Sequence, residues 1–178
     1  LLSIFFFFYN RNMQIESFQN EKIKNLSRLI TDNRFRKKSG SFVVEGKQEN
    51  ERAVRFGYEN LEFFICESIF EEDFPKGKVT LVSDKIYEKL AYRGTSEGII
   101  GVYKSETKTL ENFVLTNNCS IIIIEGVEKP GNLGAILRSC EAFGIDALIV
   151  TDPKIDFYNP NVIRSSVGCL FGMNFFQS

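Results

Sequence analysis

Four consecutive isoleucines, Ile121 to Ile124, leave the second half of the chain little choice of structure. β-Branched side chains lose rotamer freedom in a helix and pack well on a pleated sheet, so the run predicts a strand. With no residue to turn toward water, it predicts a parallel strand covered on both faces, which requires helical crossovers. Such a helix is legible immediately downstream. Leu133, Ile136, Leu137, Cys140 and Phe143 fall on one helical face, and the spacing predicts a helix from about Leu133 to Phe143, closed by Gly144. Ala147 to Val150 reads as the next parallel strand, and Val162 to Cys169 as one more helix. The fold class is α/β. Two strands and two helices leave a sheet edge and apolar strand surface uncovered, so residues 119–178 are expected to form an incomplete domain with a parallel sheet.

Upstream, Ile23, Leu26, Leu29 and Ile30 mark an amphipathic helix that Thr31-Asp32-Asn33 should stop. Phe42-Val43-Val44, a helical stretch from Gln48 to Phe56 and the apolar run Leu61 to Cys66 are read most economically as a β-α-β unit. Val79 to Val82 predicts a strand, Asp84 an N-cap for a helix to about Tyr92, and Gly98 to Tyr103 another strand. Residues 13–104 therefore read as a small α/β sandwich. The polar stretch 105–118 reads as a linker or a short bridging helix.

Composition removes several kinds of chemistry. There is no histidine among the 178 residues, so the commonest general base and metal ligand are missing, and no metal site is expected. The four cysteines are far apart and read as reduced core residues of a cytoplasmic protein. A net charge of -1 means that a nucleic-acid partner must be met by a local patch. That patch is Arg34, Arg36, Lys37 and Lys38, which suit a phosphate backbone, with Phe35 between them to stack on a base. Residues 1–12 contain Phe5 to Phe8 in one run. They lack the flanks of a signal peptide and are too short to span a bilayer, so they read as a non-native leader before Met13, with no membrane partner.

Between the isoleucine strand and its helix lies Glu125-Gly126-Val127-Glu128-Lys129-Pro130-Gly131-Asn132-Leu133-Gly134, with Arg138 one turn further on. It has neither G-x-G-x-x-G nor G-K-[ST], which counts against a dinucleotide site or a P-loop. Pro130 and Gly131 set a turn, Asn132 can cap the helix, and Gly134 allows close approach of a backbone or a nucleotide. Helical geometry puts Arg138 on the side of Gly134, toward the carboxyl end of the strand, where open α/β sheets bind ligands. A solvated helix arginine is the competing reading from spacing alone.

The segment Ile124 to Val150 closely resembles the first signature of the SpoU (TrmH-like) family of knotted RNA methyltransferases, P-G-N-x-G-x-x-x-R followed by an apolar-Phe-Gly helix end. Asn159 to Gly168 is similar to that family's R-x-S-x-G segment, and Arg34 to Gly46 looks like the opening of its L30e-like substrate-binding domain. The resemblance implies an L30e-like sandwich followed by an α/β-knot (SPOUT) domain, and a homodimer. It implies methyl transfer from S-adenosylmethionine to a ribose 2'-hydroxyl of rRNA or tRNA. It also makes Asn132 and Arg138 catalytic, and it places Arg164 and Ser165 on the target-nucleotide side. The two later motifs that hold the cofactor in that family are not found, so cofactor-binding residues stay unknown and the chain reads as a truncated, inactive form. A guanidinium stays charged in proteins, so the role read for Arg138 is electrostatic: holding a phosphate and stabilising alkoxide charge. A non-catalytic RNA-binding module using only the L30e-like part is the alternative. A nucleotide-binding α/β enzyme of another type is a weaker one.

Overall fold

The structure is a computed structural model that describes residues 14–73, 75–91 and 97–178. The Phe5 to Phe8 run, Met13 and Tyr92 lie outside the described residues.

The first sheet comprises β1 (Ser41–Glu45), β2 (Asn60–Ile65), β3 (Val79–Leu81) and β4 (Ile99–Lys104), in the order β1-β4-β2-β3. β4 runs antiparallel to both β1 and β2, while β2 and β3 are parallel. The expected β-α-β unit is therefore split, because β4 occupies the place between its two strands. Alternation along β1 builds two cores. Val43 joins Phe64 and Ile100 under α1 (Glu21–Thr31) and α4 (Asp84–Leu90), where Ile23, Leu26, Leu29 and Ile86 complete the layer. Phe42 and Val44 face the other way, toward Ala53 of α3 (Lys47–Arg55). Ser83, not Asp84, is the N-cap residue of α4, and Asp84 is its first helical residue.

Asp32 does double duty in the sequence following α1. It ends α1, and its carboxylate accepts from the Phe35 N–H (3.1 Å), which starts a second helix, α2 (Asn33–Ser39). The basic run is thus helical. Gly40 closes it in the left-handed conformation that glycine adopts without strain.

The second sheet, β5 (Ile121–Glu125), β6 (Ala147–Thr151) and β7 (Asn174–Gln177), is parallel throughout and laid out in chain order. Its helices are α5 (Pro130–Ala142) and α6 (Pro160–Ser165). Sequence expectations need four corrections. β7 is a third strand that was not anticipated. α5 begins at Pro130, whose missing N–H costs nothing at a first helical position, and Phe143 lies beyond its last turn, 82% exposed. α6 stops at Ser165, followed by a turn at 166–168 and a 3-10 helix, Cys169–Gly172. β5 is an edge strand covered on one face only. Ile122 and Ile124 pack inward, while Ile123 is 66% exposed.

Between the two sheets, the stretch after β4 contains only a 3-10 turn, Leu110–Asn112. The parts it connects share one core. Tyr158 stacks on Phe42 with ring centroids 4.3 Å apart, and Tyr58 meets Phe171 edge-on at 5.0 Å. Among the described residues, no helix is long and apolar enough to cross a membrane.

Candidate functional site

β5 ends at Glu125, where Gly126 adopts φ +62° and bonds its N–H to the Thr151 carbonyl (3.0 Å). The chain can then leave the sheet while staying tied to β6. Asn132, expected as a cap, instead sits inside the first turn of α5 with its N–H on the Lys129 carbonyl (3.0 Å), and no side chain caps this helix. Its side chain is exposed. In this first turn Pro130 has no N–H, and the N–H groups of Asn132 and Leu133 both go to the Lys129 carbonyl (3.0 and 3.2 Å), so the Gly131 N–H and the positive dipole end are what the turn presents to an anionic group. A Cβ added to Gly126 or Gly131 would meet nothing within 4 Å, so the loop is open at these two positions.

Gly134 has a different task from the one expected. A Cβ there would stand 2.7 Å from the Ser165 carbonyl carbon, so the glycine lets α6 lie against α5; it does not admit a nucleotide. Ser165 is committed to the same contact. Its hydroxyl donates to the Asn161 carbonyl (2.6 Å) and lies 3.3 Å from that of Pro130, which takes it off the nucleotide side and into helix packing.

Arg138 is exposed in the third turn of α5. Six residues of helix separate it from Asn132 by about 9 Å along the axis and about 120° around it. One copy of the chain therefore does not bring these two side chains together, and Arg138 is not at the carboxyl end of β5. It stands at the seam with α3, close enough for its charge to be felt at the Cys169 thiol.

That seam holds residues which sequence reasoning missed. Arg52 of α3 pairs with Glu141 of α5, and Cys169 donates to the other carboxylate oxygen of Glu141 (2.9 Å). Arg164, half-buried in α6, faces Glu49 of α3; burial raises the Glu49 pKa, and Arg164 and Arg52 oppose the rise. Gly168 is a glycine for a steric reason, since a Cβ would meet Arg52 Cδ at 3.0 Å while the backbone is left-handed. A charged helix such as α3 carries no sequence signal telling which of its ions meet another element.

The basic run divides by helical side. Arg34, Lys37 and Lys38 are exposed, at the i, i+3, i+4 spacing of one face. Arg36 is not available to a phosphate. It is 3% exposed, donates from Nε to Asp156 (2.8 Å), and donates from Nη1 to the Leu29 carbonyl (2.9 Å). Phe35 is half-buried, and the Arg28 guanidinium already covers its ring, 3.9 Å from the centroid, so that face is closed to a base.

Comparison with known proteins finds two families along the chain. Residues 120–178 match the SpoU rRNA Methylase family, and residues 20–101 match the MRM3-like substrate binding domain. The 23S rRNA (guanosine(2553)-2'-O)-methyltransferase RlmP of Bacillus subtilis is 27% identical over 89% of this chain and 62% of its own length. The mitochondrial rRNA methyltransferase 3 of Homo sapiens is 24% identical over 86% of this chain and 39% of its own. A crystal structure of an RNA 2'-O ribose methyltransferase superposes with a TM-score of 0.80 at 33% identity, covering 93% of this chain and 66% of that one. An AdoMet-bound rRNA methyltransferase from Sinorhizobium meliloti has the same fold, with a TM-score of 0.80 at 20% identity over 92% of this chain and 64% of that one. The chain spans less than two thirds of the length of each.

Proposed function

Since this chain belongs to the SpoU rRNA methylase family and carries an MRM3-like substrate-binding domain, we propose that its protein methylates a ribose 2'-hydroxyl of rRNA. The observation that carries the reading is the family segment itself, folded as strand, open loop and side-chain-uncapped helix at the carboxyl end of β5. Ribosomal RNA is favoured over tRNA because the relatives named above act on rRNA.

S-adenosylmethionine, the methyl donor implied by the family, would supply an electrophilic methyl group. The loop at Gly126 and Gly131, open beside both glycines, would border part of such a group. The chain's own residues divide the remaining work. Arg34, Lys37 and Lys38 bind the phosphate backbone. Asn132 orients the groups that meet at the α5 N-terminus, and alignment of this kind contributes on the order of several kcal/mol. Since one copy does not bring Arg138 to the α5 N-terminus, a second copy's Arg138 would supply positive charge against the alkoxide that develops on the 2'-oxygen, and Arg164 would hold the adjacent phosphate. A homodimer is part of the proposal, supported by the exposed apolar side chains Ile123 and Phe143. The four free cysteines support a reducing compartment such as the cytoplasm.

The test is tritium transfer from labelled S-adenosylmethionine to rRNA, followed by nucleoside analysis. A 2'-O-methylated nucleoside is the expected product, and label on a base instead of the ribose overturns the assignment.

A further inference from the structure

A cavity of about 660 Å³ opens where α2, the segment after β4 and the 156–158 loop meet, a volume within the range of small-ligand sites. Its lining includes neither Asn132 nor Arg138. We propose that it is a nucleotide subsite of the RNA interface, taking one phosphate with its base from a single-stranded stretch. This rests on the reading of the protein as an RNA enzyme and extends it to a specific place.

Two ammonium groups line the cavity with donors to spare. Lys37 forms no ion pair among the described residues. Lys108 is half-buried, and its Nζ gives one hydrogen bond, to the Met173 carbonyl (3.1 Å), while standing 4.8 Å from the Phe175 ring centroid. Its nearest carboxylate, Glu106, is 4.0 Å away, at the limit of an ion pair. An ammonium has three donors, and burial disfavours this one's charge, so an incoming phosphate would restore what desolvation removes.

The walls are fixed in advance. Arg36 and Asp156 neutralise each other within the wall, and the Tyr158 hydroxyl holds the segment after β4 by accepting from the Glu106 N–H and donating to its carbonyl, both at 3.1 Å. Phe157 and Phe175, stacked 4.4 Å apart, form an apolar floor. The site also borders Gln177 of β7, on the carboxyl side of the parallel sheet. Two more carboxylates decide the class of ligand. Glu111 is engaged by its own N–H and the Thr109 hydroxyl, but Glu106 is exposed. A bare anion would be opposed by Glu106, whereas a base edge can donate to it. Lys37 belongs both to this cavity and to the exposed basic face of α2, so RNA lying along α2 reaches the subsite without a detour.

The test uses the full chain with a short, dye-labelled single-stranded RNA that contains 4-thiouridine. Lys108→Met keeps the stem packed on the rings, and Thr107→Trp fills the mouth. Lys108→Met should weaken binding about tenfold and lower the salt slope by about 0.7, the share of one single-strand phosphate contact. Thr107→Trp should weaken binding and leave the slope unchanged, with both variants unfolding at the temperature of the unaltered chain. Cross-links should fall on residues 105–111 or 156–158. Unchanged binding in both variants, with cross-links only on α2 or α5, overturns the subsite while leaving the proposed function standing. Displacement of the RNA by an equal concentration of free mononucleotide assigns the cavity to a small ligand and also overturns it. RNA binding absent from the unaltered chain overturns both readings.

Discussion

A single methyl group tests how α5 and α6 fit together. Alanine is the better helix former by roughly 1 kcal/mol, but at position 134 its Cβ would press on the Ser165 backbone at 2.7 Å, and overpacking costs about 1–3 kcal/mol. Gly134→Ala should therefore destabilise the chain, and adding Ser165→Ala should not restore it, because the carbonyl carbon remains; urea midpoints decide. Arg138 makes a contrasting case, since it is exposed and its proposed role is confined to the transition state. Arg138→Ala should lower turnover by about 100-fold or more and change RNA affinity little. Equal losses in both would make it another phosphate contact. Cys169 offers a pH test. Burial, with the Glu141 carboxylate that accepts its hydrogen, pushes the thiol from 9.0 up to about 11. The folded chain thus holds this proton more tightly than the unfolded one, so its contribution is complete below about pH 9 and is lost as pH rises through about 11. Half-buried Cys119 should react with a thiol reagent at pH 8 well before Cys169 does, as mass mapping of the labelled peptides would show.

Among the elements, α2 shows how a charge run can conceal two functions. Three of its cations face water, whereas Arg36 bridges to Asp156 across 120 positions of sequence. Removing one partner of a buried ion pair leaves the other uncompensated and costs about 3–5 kcal/mol. Arg36→Met should therefore lower stability by about that amount, and Lys37→Ala with Lys38→Ala should leave stability within about 0.5 kcal/mol while weakening RNA binding and its salt dependence. Denaturant titration and binding at several salt concentrations separate the two effects. Nothing in Arg-Phe-Arg-Lys-Lys indicates which arginine turns inward, because that depends on Asp156, and long-range partners leave no local trace. Elements of strong pattern were legible: β1, β2, β5, β6 and α1 all lie where apolar spacing put them. α2 was hidden because Asp32 both stops one helix and starts the next, so a stop signal concealed a start. The isoleucine run announced a strand correctly, but its neighbours decide whether that strand is central, and Ile123 stands exposed. At the candidate site, the loop and Asn132 were placed near the right end of the sheet. The burial of Arg36 and the packing of Ser165 appear only once α2 and α6 meet their partners.

On the scale of the whole molecule, the sequence reads as two units joined by a linker. The packing joins the two through one core. Phe42, Tyr58 and Phe63 of the first part and Leu133, Leu137, Tyr158, Phe171 and Phe175 of the second lie in one continuous apolar cluster. Phe42 and Tyr58 each touch the rings of both Tyr158 and Phe171 across the division. Polar contacts bind the same boundary, through Arg36 with Asp156, Arg52 with Glu141, and Tyr158 with Glu106. A residue range ending at Lys104 would expose Phe42 and Tyr58, now fully or almost fully buried, at about 1.5–3 kcal/mol for a Phe-sized side chain, a large fraction of a small domain's net stability. The chain should accordingly unfold in one transition, with near- and far-ultraviolet circular dichroism coincident. A fragment of residues 14–104 should unfold at a clearly lower denaturant midpoint and bind a hydrophobic dye. Tyr158→Ala should bring the whole chain toward the same behaviour by emptying the stack on Phe42, at a cost of about 3–5 kcal/mol. Two separated transitions in the unaltered chain, with the first sheet's signal unaffected by Tyr158→Ala, would mean that the shared cluster does not couple the two halves.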